Sequence, residues 1–364
     1  MARVFKTTGK NQRRQTSLFL MFFLLCFSLC LQPQASAQSD MAPFRFPVLS
    51  NPNALAGRLY LQPLDVHDHR VVASPELSVS FGSATDYNIH FMEKDGDKEL
   101  TVNTNTYSLA LSSGFSVAGR TLEGGALISA YQDMKNTWGG DLVKNYHEAF
   151  PSEGFGNVPP DGQYYGGVGE NETPVIGENR EFFLSTMQLY LKHQLLRDQG
   201  IGSPVPDLAV KLSGRIPLSG KRFDTVGLGL SAGLSKQLSQ RFSAIGSGAL
   251  VYQDLTNRDF NSNTLKVRHW VFDVFGGLCW DMGEQEGWYA QAGLRCSSER
   301  ISYRSNSESA DNAFVAHFGP VYRTKTKKGH KLEYFASFSE DIPGMGYGLE
   351  PDVAFYAGVA MGFH

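Results

Sequence analysis

The chain has 364 residues, a formal net charge of −3 at pH 7, 38 glycines and an aromatic content of 12%. So small a charge argues against a nucleic-acid partner, because binding to a phosphate backbone needs a basic surface. Beyond the first 37 residues, no stretch approaches the roughly 18 consecutive apolar residues of a transmembrane helix. The remaining length fits either two domains or one large all-β unit.

Residues 1–37 are predicted to be a cleaved signal peptide. A basic start (Arg3 to Arg14) precedes the apolar run LFLMFFLLCFSLCL (18–31), and ASA (35–37) provides a small-residue cleavage site. The apolar run is shorter than the about 20 residues of a membrane span, so cleavage is favoured over an uncleaved anchor. The mature chain is therefore expected to begin near Gln38, outside the cytoplasm.

The next segment, 38–74, precedes the first clear strand and is predicted to lie in the periplasm or in the lumen of a barrel. Within it, LDVHDHR (64–70) places Asp65, His67 and His69 on one side of an extended chain, where they could bind zinc. A solvated polar turn is the favoured interpretation, because a zinc site needs three or four converging ligands. The sequence therefore predicts no metal and no cofactor.

From residue 75 onward, apolar residues recur at every second position, which is typical of strands with two different faces. In TVGLGLSAGLS (225–235) one face carries Val, Leu and Ala, and the other only Gly and Ser. The closing VAFYAGVAMGFH (353–364) alternates in the same way. About twelve strands are predicted, near 76–92, 99–115, 120–133, 182–196, 207–218, 225–235, 242–253, 265–282, 287–304, 312–323, 331–340 and 352–364.

The second face separates two fold classes. A soluble β-sandwich would expose a charged face to water, whereas here that face is mostly Gly, Ser and Ala. Connections also alternate in length, from 283–286 at the short end to 134–181 at the long end, as in outer-membrane barrels with an even strand number. The prediction is an all-β, antiparallel transmembrane β-barrel of about 12 strands over 75–364, with 134–181 as a long external loop. A secreted sandwich or a soluble closed barrel is the alternative.

Aromatic residues mark the expected membrane borders. Trp270 and Trp280 share one strand face ten residues apart, which spans roughly 25 Å at an ordinary strand tilt. Trp288 opens the next strand at the same border as Trp280. Phe363 resembles the terminal aromatic residue that barrel-insertion machinery reads, although His364 follows it. The expected partners are therefore outer-membrane lipids and the barrel-insertion machinery of a Gram-negative envelope.

Three stretches resemble the bacterial family called "domain of unknown function 3187". They are LSNPNALAGRLYLQP (49–63), YSLALSSGFSVAGRTLEGGALI (107–128) and DLVKNYHEAFPSEGFGNVPPDG (141–162). The resemblance implies an exported, β-rich protein and extends over most of the mature chain. It implies no reaction, ligand or site.

Eight strand residues are predicted to point into the barrel: Lys192, Lys211, Arg215, His269, Asp273, Arg295, His317 and Glu333. Such a mixture of charges can line a narrow pore for small polar solutes. Alternatively, the same groups pair with one another in a filled lumen. The protein would then be a structural or adhesive envelope protein.

A lipid-modifying barrel enzyme is a third, disfavoured hypothesis. His193 faces lipid but lies near the periplasmic border, His90 faces inward, and no G-x-S-x-G elbow surrounds a candidate serine. No catalytic residue and no enzymatic activity are predicted. Cys279 and Cys296 are assigned to opposite sheet faces, so no disulfide is expected.

Overall fold

The computed structural model describes residues 71, 77–91, 99–118, 120–133, 183–218, 226–253, 265–267, 269–282, 287–298, 301–303, 312–342 and 353–363. The predicted signal peptide (1–37) and the predicted long loop (134–181) lie outside these residues. The 38–74 segment does too, apart from Val71.

The described residues form β-strands that alternate with connections. The strands are β1 (Leu77–Phe91), β2 (Glu99–Val117), β3 (Arg120–Asp133), β4 (Phe183–Leu196), β5 (Asp207–Pro217), β6 (Gly227–Gln237), β7 (Phe242–Gln253), β8 (Leu265–Val267), β9 (Trp270–Asp281), β10 (Gly287–Ser298), β11 (Ile301–Tyr303), β12 (Asn312–Lys325), β13 (Lys331–Asp341) and β14 (Val353–Phe363). Within the described part of the chain, no helix is long and apolar enough to cross a membrane.

Twelve of these strands close into one antiparallel barrel. The closing contact joins β1 to β14, with Leu77 opposite Phe363 and Tyr87 opposite Val353. Closure leaves no open sheet edge, as a strand protein in lipid requires. The predicted all-β antiparallel barrel of about twelve strands is thus confirmed. Two predicted strands are each divided in the structure, and β8 pairs with β11 as a separate small sheet.

The outer face of the barrel is apolar and exposed. Its exposed large side chains include Phe81, Leu109, Leu111, Leu189, Leu191, Leu212, Leu228, Phe272, Val274, Leu278, Leu294, Phe318 and Tyr334. In water, so much contiguous apolar surface would be unfavourable. A closed barrel with this exterior is the architecture of proteins that span the outer membrane.

The two ends of the barrel differ. At one end, here called the short-turn end, the connections are 118–119, 197–206, 238–241, 282–286 and 326–330, and both Leu77 and Phe363 lie there. The opposite, long-loop end carries the 134–182 connection and the small β8–β11 sheet. This asymmetry is the one expected for periplasmic turns and external loops.

The inner face has two unlike regions. An aromatic wall is formed on β9, β10, β12, β13 and β14, where Phe275, Tyr289, Val321, Phe335 and Tyr356 cluster. The rings of Phe335 and Tyr356 stack with centroids 5.6 Å apart. Gly358 permits this, because a Cβ there would meet the Phe335 ring at 2.4 Å. A small-residue wall is formed on β5 to β7 by Ser213, Gly229, Ser231, Gly233 and Ser247.

Candidate functional site: the barrel interior

Seven of the eight predicted inward residues are buried on the inner face: Lys192, Lys211, Arg215, Asp273, Arg295, His317 and Glu333. Arg215 is 0% exposed and Lys211 is 6% exposed. His269 is the exception and a correction. It is exposed and lies just before β9. Its ring stacks on the outward-facing Tyr252 with ring centroids 6.1 Å apart, and its Nδ1 lies 3.0 Å from the Gln253 carbonyl oxygen. Strand alternation does not extend to it because β9 begins only at Trp270.

One buried ion pair joins β3 to β4. Lys192 Nζ lies 3.0 Å from Glu123 Oε2, and the two residues are direct cross-strand partners. The Tyr190 hydroxyl donates a hydrogen bond of 2.7 Å to Glu123 Oε1. Gly125 makes room for this tyrosine, because a Cβ there would meet the ring at 2.3 Å. Both carboxylate oxygens of Glu123 are therefore engaged, which offsets the cost of burying the charge.

Two further pairs lie between neighbouring strands of the aromatic wall. Arg295 donates to Asp273 through Nε at 2.8 Å and also through Nη2. Arg323 Nε donates to Glu333 at 3.1 Å, and its guanidinium sits 4.7 Å from the centre of the Tyr289 ring. Two-point Arg–carboxylate contacts are strong and directional. These pairs tie neighbouring strands together inside the barrel.

The β4–β5 face concentrates positive charge. Lys192 on β4 lies directly opposite Lys211 on β5, and Gln188 lies opposite Arg215. Lys211 Nζ is 5.5 Å from the centre of the Tyr190 ring. On the other side, Lys211 faces Ser231 of the small-residue wall. Like charges directly opposite each other across two strands repel, and the Glu123 carboxylate beside Lys192 offsets part of that repulsion.

Sequence reasoning missed three residues of this interior: Glu123, Tyr190 and Arg323. Arg323 is the last residue of the predicted strand 312–323 and shares the alternation of Val315 and Val321, so that alternation was the signal that could have found it. Glu123 was obscured because apolar residues occupy both faces of β3, where the register also shifts at Ser129/Ala130.

The segment before β1 contacts the inner face. The Val71 backbone N–H donates a hydrogen bond of 2.9 Å to Oε1 of Gln194, and both residues are buried. Gln194 lies near the short-turn end of β4, three strands away from β1 in the barrel order. Val71 is therefore seated within the short-turn end of the barrel.

The turn that joins β4 to β5 is clamped to the end of β6. Asp198 accepts hydrogen bonds of 2.9 Å from the Gly200 and Gln237 backbone N–H groups, and it also pairs with Lys236 Nζ. Burial alone would raise the pKa of the Asp198 carboxyl. The backbone of Gln237, the Lys236 ammonium and the backbone of Gly200 outweigh burial and hold that pKa below its usual value.

The remaining predicted site residues lie at the barrel ends. Trp270, Trp280 and Trp288 are outward and exposed, and each packs against a neighbouring aromatic ring: Tyr252, Phe242 and Tyr322 respectively. Phe363 packs against His330 with ring centroids 5.2 Å apart. These positions mark two aromatic borders about one membrane thickness apart.

The remaining polar chemistry of the described residues is simple. Cys279 and Cys296 are both free thiols, as predicted, with Cys279 buried on the inner face. Among these residues, no group of three or more His, Cys, Asp or Glu side chains could hold a metal ion. The 64–70 motif lies outside them.

Comparison with known proteins relates this chain to solved barrels. The COG4313 outer membrane channel from Pseudomonas putida F1 matches with a TM-score of 0.53 and 9% identity, over 82% of this chain and 98% of that one. The KdgM porin matches at 7% identity with a TM-score of 0.38, over 79% of this chain and 99% of that one. The transport unit of the autotransporter AIDA-I from Escherichia coli matches at 10% identity with a TM-score of 0.42, over 86% of this chain and 96% of that one.

No family model matches the chain, and no curated protein does so. The likeness at 9% identity concerns the fold alone. On that ground, and on the closed barrel with its apolar exterior, the chain folds as an outer-membrane β-barrel.

Proposed function

We propose that this protein is an outer-membrane channel that provides a narrow passage for small polar solutes. One observation carries the proposal: a closed barrel with a lipid-compatible exterior encloses a wall of charged and hydroxyl side chains. An interior that served only as a core would be expected to be apolar, because buried charges cost several kcal/mol each even after relaxation. The fold that this chain shares with the COG4313 outer membrane channel from Pseudomonas putida F1 supports this proposal.

The orientation and the partners belong to the same proposal. The short-turn end faces the periplasm and the long-loop end faces outward, which is the usual arrangement in outer-membrane barrels. The proposal also includes export through the 1–37 signal peptide, recognition of Phe363 by the barrel-insertion machinery and contact with outer-membrane lipids. Membership of the "domain of unknown function 3187" family is part of the proposal as well.

A second function is favoured by the low exposure of the inner wall. Arg215, Asp273 and Arg295 are each at most 2% exposed, which indicates a closely filled interior. Together with the ion pairs between strands, this fits an envelope protein with a structural role. The two functions differ in whether solutes cross.

Liposome swelling separates the two functions. The mature chain, refolded into vesicles, should admit small sugars and amino acids at a rate that falls steeply with solute size. Empty vesicles, and vesicles with heat-denatured chain, are the controls. Swelling no faster than in the controls for every solute, with the chain shown to be folded by its gel mobility without boiling, would support the structural role instead.

A further inference from the structure

We propose that the chain preceding β1 docks on the inner face of β4 and so occupies part of the opening at the short-turn end of the barrel. Val71 marks this chain, because among the residues that the structure describes it alone precedes β1. Of the two places predicted for the 38–74 segment, the periplasm and the lumen, its end at Val71 lies in the lumen. The docking does not depend on the proposed channel function, whereas its effect on conductance rests on that function.

A register shift in β4 prepares an acceptor for one backbone N–H group. The pairing of β4 with β5 shifts between Gln194 and Leu196. There Gln194 Nε2 donates hydrogen bonds to the carbonyl oxygens of Leu196 at 2.6 Å and Leu208 at 3.2 Å. These two carbonyls fix which end of the amide is the nitrogen, because an amide oxygen in its place would face two other acceptors. Gln194 Oε1 is thereby left to accept the Val71 N–H, at 2.9 Å.

The contact between Val71 and Gln194 is shielded from water. Val71 is 9% exposed and Gln194 is 3% exposed. A backbone N–H that is buried without a partner is costly, and Gln194 supplies the partner that Val71 needs. Burial of the valine side chain adds a favourable apolar contribution. Docking therefore satisfies both the polar and the apolar groups of Val71.

The position of Gln194 places Val71 inside the opening. β4 is three strands from β1 in the barrel order, and three strand spacings amount to about 14 Å. The chain from Val71 to Leu77 has a reach of about 20 Å, which is long enough to make this connection. Gln194 faces inward, two residues before the end of β4. The chain therefore turns into the barrel before Leu77 begins β1.

The wall beside Gln194 is shallow. Gln194 lies opposite Ala209 on β5, and Ala209 lies opposite Gly233 on β6. Side chains this short let a further segment approach the strands closely. Ala209 is 0% exposed, which agrees with a segment that lies against this part of the wall.

The first test is cross-linking within the folded chain from residue 38 onward, in a Cys279→Ser/Cys296→Ser background that removes its two thiols. A short bifunctional maleimide should join the thiols of the variant Val71→Cys/Ala209→Cys. The variant Val71→Cys/Ala360→Cys is the matched control, since Ala360 is also a buried inward alanine toward the short-turn end. Ala360 lies on β14, the direct neighbour of β1, whereas β5 is four strands from β1. A segment that only hung from β1 would therefore reach Ala360 at least as readily as Ala209.

The second test removes the acceptor. In the Val71→Cys/Ala209→Cys chain, Gln194→Leu should lower cross-linking about twofold or more, as expected for one lost hydrogen bond. Gln188→Leu, at another buried inward glutamine of β4, should leave cross-linking unchanged. In a planar bilayer, Gln194→Leu should give a larger single-channel conductance than wild type, because the released chain no longer occupies the opening.

The outcomes separate the docking from the channel function. Equal cross-linking of Val71→Cys to Ala209→Cys and to Ala360→Cys would overturn the docking site, and both pairs retain Gln194, so this result does not require Gln194→Leu to fold. Equal losses of cross-linking in Gln194→Leu and Gln188→Leu would overturn the role of the Gln194 amide. Efficient cross-linking with equal conductance of Gln194→Leu and wild type would overturn the narrowing of the passage. A folded chain that cross-links as expected but never conducts would overturn the channel function and support the docking site.

Discussion

A charge placed at mid-strand on the outer face tests which face of the barrel meets lipid. Leu212 is the sixth of eleven residues in β5 and is 57% exposed. Five residues separate it from either strand end. At about 3.3 Å per residue and a tilt near 40°, it lies roughly 13 Å from each border, at the middle of an apolar band about 25 Å tall. Leu212→Arg should therefore cost about 2–4 kcal/mol.

Leu218→Arg is the matched control, since Leu218 lies on the same face just past the end of β5 and is exposed. Near a border the same substitution should cost only about 0–1 kcal/mol. Urea titration of folding into lipid vesicles, followed by tryptophan fluorescence and gel mobility, measures both. The folding equilibrium should fall about 30- to 700-fold for Leu212→Arg. Equal costs at the two positions would refute the assigned depth and face of β5.

Three other predictions concern the interior and the short-turn end. Because the pKa of Asp198 is lowered in the folded state, its stabilisation is present above the usual aspartate pKa and is lost as pH falls through the folded value. In urea titration at pH 7, the free energy of unfolding of wild type should exceed that of Asp198→Asn by about 1–3 kcal/mol. This difference should shrink below about pH 4. A difference that does not depend on pH would contradict the role assigned to the Asp198 carboxylate. For the thiols, a membrane-permeant maleimide should label Cys296 in the folded chain and Cys279 only after denaturation; rapid labelling of both, or of neither, would contradict their placement. Gly125→Val should displace the Tyr190 ring and lower the free energy of unfolding by about 1–3 kcal/mol. Gly276→Val is the control, because a Cβ at Gly276 meets open space. Equal losses of stability in the two variants would contradict the close contact between Gly125 and Tyr190.

The strands were predictable because a barrel wall imposes period two on every strand. The apolar row of β6, for example, is continuous from Leu228 to Leu234, and its pairing with β5 and β7 follows from the hairpin order. The inward side of seven polar residues follows from the same alternation. The closure of β1 on β14 follows because a barrel in lipid cannot leave a sheet edge open. The divided strands β8–β9 and β10–β11 were not predictable, since the interruption leaves the hydrophobic pattern intact.

The side-chain contacts inside the barrel could not be predicted from the sequence, for a physical reason. Alternation gives the side on which a residue lies, but the partner of an inward charge depends on stagger between strands. Arg295, for example, reaches Asp273 diagonally, because the residue directly opposite Asp273 is Ser297. His269 shows a second limit of the alternation. It lies just outside β9, so the side on which it points does not follow from the alternation of that strand.

The most direct test of the central claim is the current through a planar lipid bilayer that contains the refolded mature chain, recorded at both voltage polarities. We predict stable insertion with discrete, reproducible steps of small conductance, as expected for a narrow twelve-strand lumen with a charged wall. A chain that remains in water and never inserts would contradict the membrane-spanning barrel. A chain that inserts but carries no current would contradict the channel function and would favour the structural role.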